Sequence, residues 1–166
     1  MAQSYDVLIR GGKVIDGTGN PWFYGDVALA GDRVATIAPR GRIDAANARE
    51  VIDATGHVVC PGFIDIQSHS LIPLLSDPRS LSKVTQGVTT EIMGEGWTPA
   101  PFGGRIEKPL GGYDRAPQEM VETIRGWKRF GDWLAWLSQR GASVNVGSFL
   151  GGGTLREHVK GWEVGD

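Results

Sequence analysis

Between Asp6 and Cys60 the apolar residues come in short runs rich in Val and Ile, each stopped within a few positions by Gly or a Gly-Asp pair. Val7-Leu8-Ile9-Arg10 runs into Gly11-Gly12, then Lys13-Val14-Ile15-Asp16 into Gly17-Thr18-Gly19-Asn20-Pro21. Short β-branched runs bounded by turn residues predict strands. Gly25 to Ala30 and Arg33 to Ile37, joined by Gly31-Asp32, predict a hairpin. Glu50 to Asp53 and His57 to Cys60, flanking Ala54-Thr55-Gly56, predict another. Residues 4–60 therefore read as an all-β unit of about six strands.

The pattern changes at Pro61-Gly62. Phe63 to Ser70 predicts a strand ending in polar residues, and Val88 to Met93 a second strand. Between them Leu71, Leu74, Leu75, Leu81 and Val84 recur at helical spacing, broken by Asp77-Pro78. Trp97 to Gly112, rich in Pro and Gly, predicts a loop. From Pro117 to Arg140 the residues Met120, Ile124, Trp127, Phe130, Leu134 and Leu137 step as a helix face, with a break expected near Gly126 or Gly131. Val144-Asn145-Val146 predicts a third strand, and Gly151-Gly152-Gly153 precedes a short helix from Thr154. Strands alternating with helices predict an α/β class with a parallel sheet of about three βα units. A closed barrel needs eight strands, so residues 61–166 are expected to be an incomplete one.

Composition narrows the partners. Seventeen basic against nineteen acidic residues give a formal charge of −2, which favours no polyanionic ligand. One cysteine excludes an intrachain disulfide and an all-cysteine zinc site. No apolar run approaches a membrane span and the first residues lack a signal-peptide pattern, so no nucleic acid or membrane partner and a cytoplasmic location are expected.

Candidate chemistry concentrates in Phe63-Ile64-Asp65-Ile66-Gln67-Ser68-His69. Strict alternation puts Phe63, Asp65, Gln67 and His69 on one face, Ile64 and Ile66 on the other. Polar side chains at the carboxyl end of a parallel strand occupy the place where α/β enzymes do their chemistry. Asp65 reads as structural, Cys60 as a small buried hydrophobe, and His57 as exposed. His158 has no partner at ligand spacing, and Trp127, Trp133 and Trp136 read as core. The triple glycine lacks the Lys-Ser/Thr of a phosphate loop, which argues against nucleotide binding.

Asp6 to Gly19, Val51-Ile52-Asp53-Ala54-Thr55-Gly56 and Pro61-Gly62-Phe63-Ile64-Asp65 resemble the amidohydrolase superfamily. Gln86-Gly87-Val88-Thr89-Thr90-Glu91, Gly94-Glu95-Gly96 and Gly151 to Arg156 resemble its N-acyl-D-amino-acid deacylases, the D-aminoacylases. The resemblance covers essentially the whole chain. It implies a discontinuous β-sandwich segment (residues 1–60) beside the start of a metal-dependent (β/α)8 barrel (residues 61–166). It also implies one or two divalent ions, zinc foremost, and an N-acyl amino acid as substrate. Family members carry His-x-His at the end of the first barrel strand; here the first position is Gln67 and only His69 matches. An amide oxygen is a weaker zinc ligand than an imidazole nitrogen. Glu95 stands where the resemblance places a second-strand ligand, and its flanking glycines suit close approach. In the deacylase pattern the middle glycine of the triplet is often His, so Gly152 departs from it.

The metal ligands that the resemblance implies are thus His69 and Glu95, with Gln67 a weak third. The general-base Asp that the family uses is expected beyond this chain. The expected function is hydrolysis of non-peptide carbon–nitrogen bonds, deacylation of N-acyl-D-amino acids first, by a portion inactive alone. A cyclic-amide hydrolase of dihydroorotase or hydantoinase type, and a non-catalytic remnant or binding module, are the alternatives.

Overall fold

The computed structural model describes residues 4–108 and 117–161, which divide into two compact units at the Pro61–Gly62 boundary. The tail of the Trp97–Gly112 loop and the start of the Pro117 approach lie outside the described residues.

The first unit is a five-stranded sheet of β1 (Tyr5–Val14), β2 (Phe23–Ala30), β3 (Arg33–Pro39), β4 (Ala48–Asp53) and β5 (Val58–Val59). β2 and β3 form the expected hairpin, with Gly31 at φ +58° in its turn. Two expectations fail here. Gly11-Gly12 does not end a strand: β1 runs through it, absorbing the pair as a register irregularity between Ile9 and Gly12. Side chains explain the glycines, since a Cβ on Gly12 would lie 2.5 Å from a methyl of Val59. The buried Asp26 carboxylate accepts the Gly11 N–H at 2.8 Å and so satisfies the amide that the irregularity frees. Nor do β4 and β5 form a hairpin. Both pair parallel to β1, β4 beside Tyr5 to Arg10 and β5 beside Lys13 and Val14. The turn at Ala54 to Gly56 returns the chain to its original heading, because Ala54 N–H stays on the Arg10 carbonyl while His57 N–H closes onto Ala54. Cys60 is exposed rather than buried, and His57 is exposed.

The second unit carries a parallel three-stranded sheet in the order β6 (Phe63–Ser68), β7 (Val88–Met93), β8 (Asn145–Ser148). Its helices are α1 (Leu71–Ser76), α2 (Leu81–Val84), α3 (Val121–Gly126), α4 (Phe130–Arg140) and α5 (Gly152–Lys160). The stripe from Met120 to Leu137 breaks at Trp127, and both halves bury it. Leu74, Leu75, Met93, Met120, Ile124, Trp127, Trp133 and Leu137 form one core cluster. Each large aliphatic or aromatic side chain so buried contributes about 1.5–3 kcal/mol. Asp132 accepts the Arg129 N–H at 2.8 Å to start α4, and Gly141 at φ +76° ends it. The Arg140 guanidinium then reaches the carbonyls of Leu74, Leu75 and Ser76, closing the carboxyl end of α1. Among the described residues no helix is long and apolar enough to cross a membrane.

Candidate metal-binding site at the strand ends

The alternation expected along β6 is interrupted twice, first between Phe63 and Ile64 and again after Asp65. The pairing with β7 slips between Asp65 and Ser68, and the Gln67 N–H leaves the ladder to donate to Asp65 Oδ1 at 3.2 Å. The slip separates the two side chains that strict alternation would keep together. Asp65 turns to Lys83 of α2, with Oδ2 2.5 Å from Nζ, whereas Gln67 turns to the end of β7. The Lys83 ammonium, and next the Gln67 N–H, hold the Asp65 carboxyl below the usual carboxylate range. Asp65 raises Lys83 in return, against the burial that pulls it down. Asp65 is thus engaged by Lys83 and the Gln67 N–H, apart from the Gln67–Glu95 contact.

Glu95 is delivered by a tight loop. Gly94 sits at φ +86°, and a Cβ there would lie 2.2 Å from the Phe149 carbonyl oxygen, so only glycine fits. β7 and the segment after β8 are pressed together by Phe149 N–H to Met93 O (2.9 Å) and Gly153 N–H to Gly96 O (2.8 Å). Thr154 Oγ1 accepts the Thr98 N–H at 2.7 Å and lies 3.0 Å from the Thr98 carbonyl, to which it donates. This contact gives the glycine triplet its role. A Cβ on Gly151 would lie 2.7 Å from Gly96 O, and one on Gly153 2.7 Å from the Trp97 ring, whereas Gly152 faces open space.

These constraints bring Gln67, His69 and Glu95 together. Gln67 Nε2 donates to Glu95 Oε2 at 2.6 Å, and His69 Nε2 lies 3.3 Å from Glu95 Oε1. An ionised carboxylate only accepts, so the Gln67 amide must present its nitrogen to Glu95. His69 and Glu95 remain open to solvent, at 78% and 52% side-chain exposure. A hollow of about 270 Å³ lies beside them, lined by Ile66, Ile92, Glu95 and Phe149 among others.

One imidazole and one carboxylate are good zinc donors, but a catalytic zinc takes three protein ligands and keeps a fourth position open. The described residues contain no cluster of three His, Cys, Asp or Glu, so among them the site falls one donor short. His158 does not join the group; its ring packs against Gly104, and its carbonyl accepts the Arg105 N–H at 2.9 Å.

Sequence reasoning missed a set of residues beneath the site. Glu91 on β7 is fully buried, with one carboxylate oxygen against the Ser68 hydroxyl and 3.7 Å from Lys83 Nζ. Ser68 Oγ is in turn 2.9 Å from Ser70 Oγ. The available signal was a single charge inside the β-branched run Val88 to Met93.

No family model matches the chain. It is 39% identical over 156 residues to the N-acyl-D-aspartate deacylase of Alcaligenes xylosoxydans xylosoxydans, covering 93% of the chain and 30% of that protein. The D-aminoacylase of the same organism is 36% identical over 161 residues, covering 95% and 31%. Among solved structures, a D-aminoacylase described as defining a novel subset of amidohydrolases superposes with a TM-score of 0.80 at 35% identity, over 94% of the chain and 31% of that structure. An N-acyl-D-glutamate deacylase from Bordetella bronchiseptica, complexed with zinc and a phosphonate mimic of the tetrahedral intermediate, gives 0.74 at 29% identity, over 93% and 31%. A further solved structure of D-aminoacylase, described for its binuclear metal centre, gives 0.78 at 36% identity, over 92% and 31%.

The parallel strands, with polar groups gathered at their carboxyl ends, are similar to those of the solved amidohydrolases. Over its length the chain is similar to the D-aminoacylases, and it spans about 30% of the length of the curated relatives it matches.

Proposed function

We propose that this chain is the part of a metal-dependent deacylase of N-acyl-D-amino acids that supplies the first two strand ends of the active site. On this reading residues 1–60 belong to the β-sandwich segment and residues 61–166 open a (β/α)8 barrel. The observation that carries it is the convergence of His69 and Glu95 at the carboxyl ends of two adjacent parallel strands. Similarity to two deacylases over more than nine-tenths of the chain supports the substrate class. A cytoplasmic location belongs to the same reading.

His69 and Glu95 are the residues that would hold a zinc ion, together with ligands from outside this chain. A bound zinc supplies Lewis acidity toward an amide carbonyl and lowers the pKa of water. Gln67 acts here as a positioning residue: its amide fixes one oxygen of Glu95, leaving the other toward His69. The hollow walled by Ile66, Ile92 and Phe149 offers apolar contact beside the polar group, which suits an acyl chain.

The test is a chimera in which residues 4–161 replace the corresponding segment of the N-acyl-D-aspartate deacylase. The chimera is expected to bind zinc and to release free D-amino acid. His69→Ala and Glu95→Ala are each expected to lower both zinc content and turnover. Turnover and zinc content untouched by both substitutions would overturn the assignment. The 166-residue chain by itself is expected to show no turnover with or without zinc, because the described residues hold no cluster of three donors and the deacylase reading places the general base outside the chain.

A further inference from the structure

Glu91 is the one carboxylate among the described residues with a buried oxygen that has no hydrogen-bond partner: Oε1 is enclosed and unpaired. Its position on β7 is one where an aliphatic residue would fit without that penalty, since Met93, two residues on and on the same face of the strand, packs into the apolar core. What its second oxygen holds is informative. Oε2 contacts the Ser68 hydroxyl, and Ser68 stands between Gln67 and His69. Ser68 has one hydroxyl proton, and the carboxylate takes it. The Ser70 hydroxyl must therefore donate to Ser68 Oγ across their 2.9 Å separation, joined by the Ser70 N–H at 3.2 Å. The two residues flanking His69 are thus both tied to one buried carboxylate. They are buried while His69 itself is exposed.

We propose that Glu91 is a positioning residue for the candidate site. Through Ser68 and Ser70 it pins the end of β6 after the register slip, and so holds Gln67 and His69 against Glu95. The slip leaves room for such an anchor. Between Asp65 and Ser68 the pairing with β7 lapses, with the Gln67 N–H bonded to a side chain, before it resumes at Ser68 opposite Met93. Lys83 does not carry this role, because its closer partner is Asp65 at 2.5 Å rather than Glu91 at 3.7 Å. The proposal rests on Gln67, His69 and Glu95 being the working site and needs no metal.

The test uses the 166-residue chain and NMR of the Gln67 side-chain amide, whose protons should be shifted by the 2.6 Å bond to Glu95. Glu95→Gln is the reference for loss of that bond. Ser68→Ala, next to Gln67 in the chain, and Glu91→Leu, whose own polar partners are Ser68 and Lys83, are both expected to return the amide signals toward those of Glu95→Gln. The Trp133 indole signal should stay at its wild-type position as a marker of the intact core. Glu91→Leu removes an unpaired buried carboxylate oxygen and leaves Lys83 on Asp65. It should therefore fold at least as well as wild type, so a purely structural role predicts no change at Gln67. Wild-type amide signals in both variants would overturn the proposal. If wild type and Glu95→Gln already coincide, the Gln67–Glu95 contact fails, and the proposal falls with the site reading. Should Ser68→Ala lose the Trp133 signal, Glu91→Leu alone decides.

Discussion

Replacing Lys83 with Met tests how the charged residues behind the sheet are balanced. Met keeps the length of the aliphatic stem and removes only the ammonium, so little packing is lost. The ammonium is 2.5 Å from Asp65 and 3.7 Å from Glu91, with the lysine side chain 23% exposed. Asp65 would keep the Gln67 N–H and some contact with water. Glu91 would keep only Ser68, fully buried and with one oxygen already unpaired. Removing one partner of a buried ion pair costs about 3–5 kcal/mol, because the other charge stays buried. For a domain whose total stability is about 5–15 kcal/mol that is a large share. At a urea slope of about 2 kcal/mol per molar, it is a midpoint shift of about 2 M. Tryptophan fluorescence reads the right unit, since five of the six tryptophans lie after residue 61. Adding Glu91→Leu should restore the midpoint to within about 0.5 M of wild type, equal to about 1 kcal/mol on the same slope. A single Lys83→Met variant within about 1 kcal/mol of wild type, or a double variant no better than the single, would refute the account.

Gly94→Ala should destabilise the second unit by more than the roughly 1–2 kcal/mol of a left-handed backbone alone, because the new Cβ meets the Phe149 carbonyl. A urea midpoint unchanged from wild type would contradict this. Asp77 is held down to about 2, first by the Arg79 side chain and then by the Arg79 N–H. Its depressed value means that its contribution is present above the unfolded value of about 3.9 and lost as pH falls toward about 2. Carboxylate NMR titration should show this, and Arg79→Ala should move Asp77 back up. In the chimera, Gln67→His should raise zinc content, since imidazole is a better donor than an amide; unchanged zinc would show that this side chain does not reach the metal.

The sequence alone determined the class of each half and the resemblance to the D-aminoacylases. Gly-punctuated β-branched runs specify a sheet without any distant contact, and the step from Met120 to Leu137 specifies a helix face that a core must cover. His69 and Glu95 were legible as candidate donors because motifs carry residue type and order. Tertiary structure decided what depends on which neighbour a strand accepts. β4 and β5 looked like a hairpin because a short turn separates them, but β1 offered one long edge and both strands took it in parallel. Alternation put Asp65 and Gln67 on one face, yet a carboxylate accepting a backbone N–H two residues on broke the register and sent them to different partners. Glu91 was invisible as anything but an odd charge in a strand. Its meaning lies in Ser68, Ser70 and Lys83, which come from three separate elements or their ends and meet only when the sheet and α2 are packed.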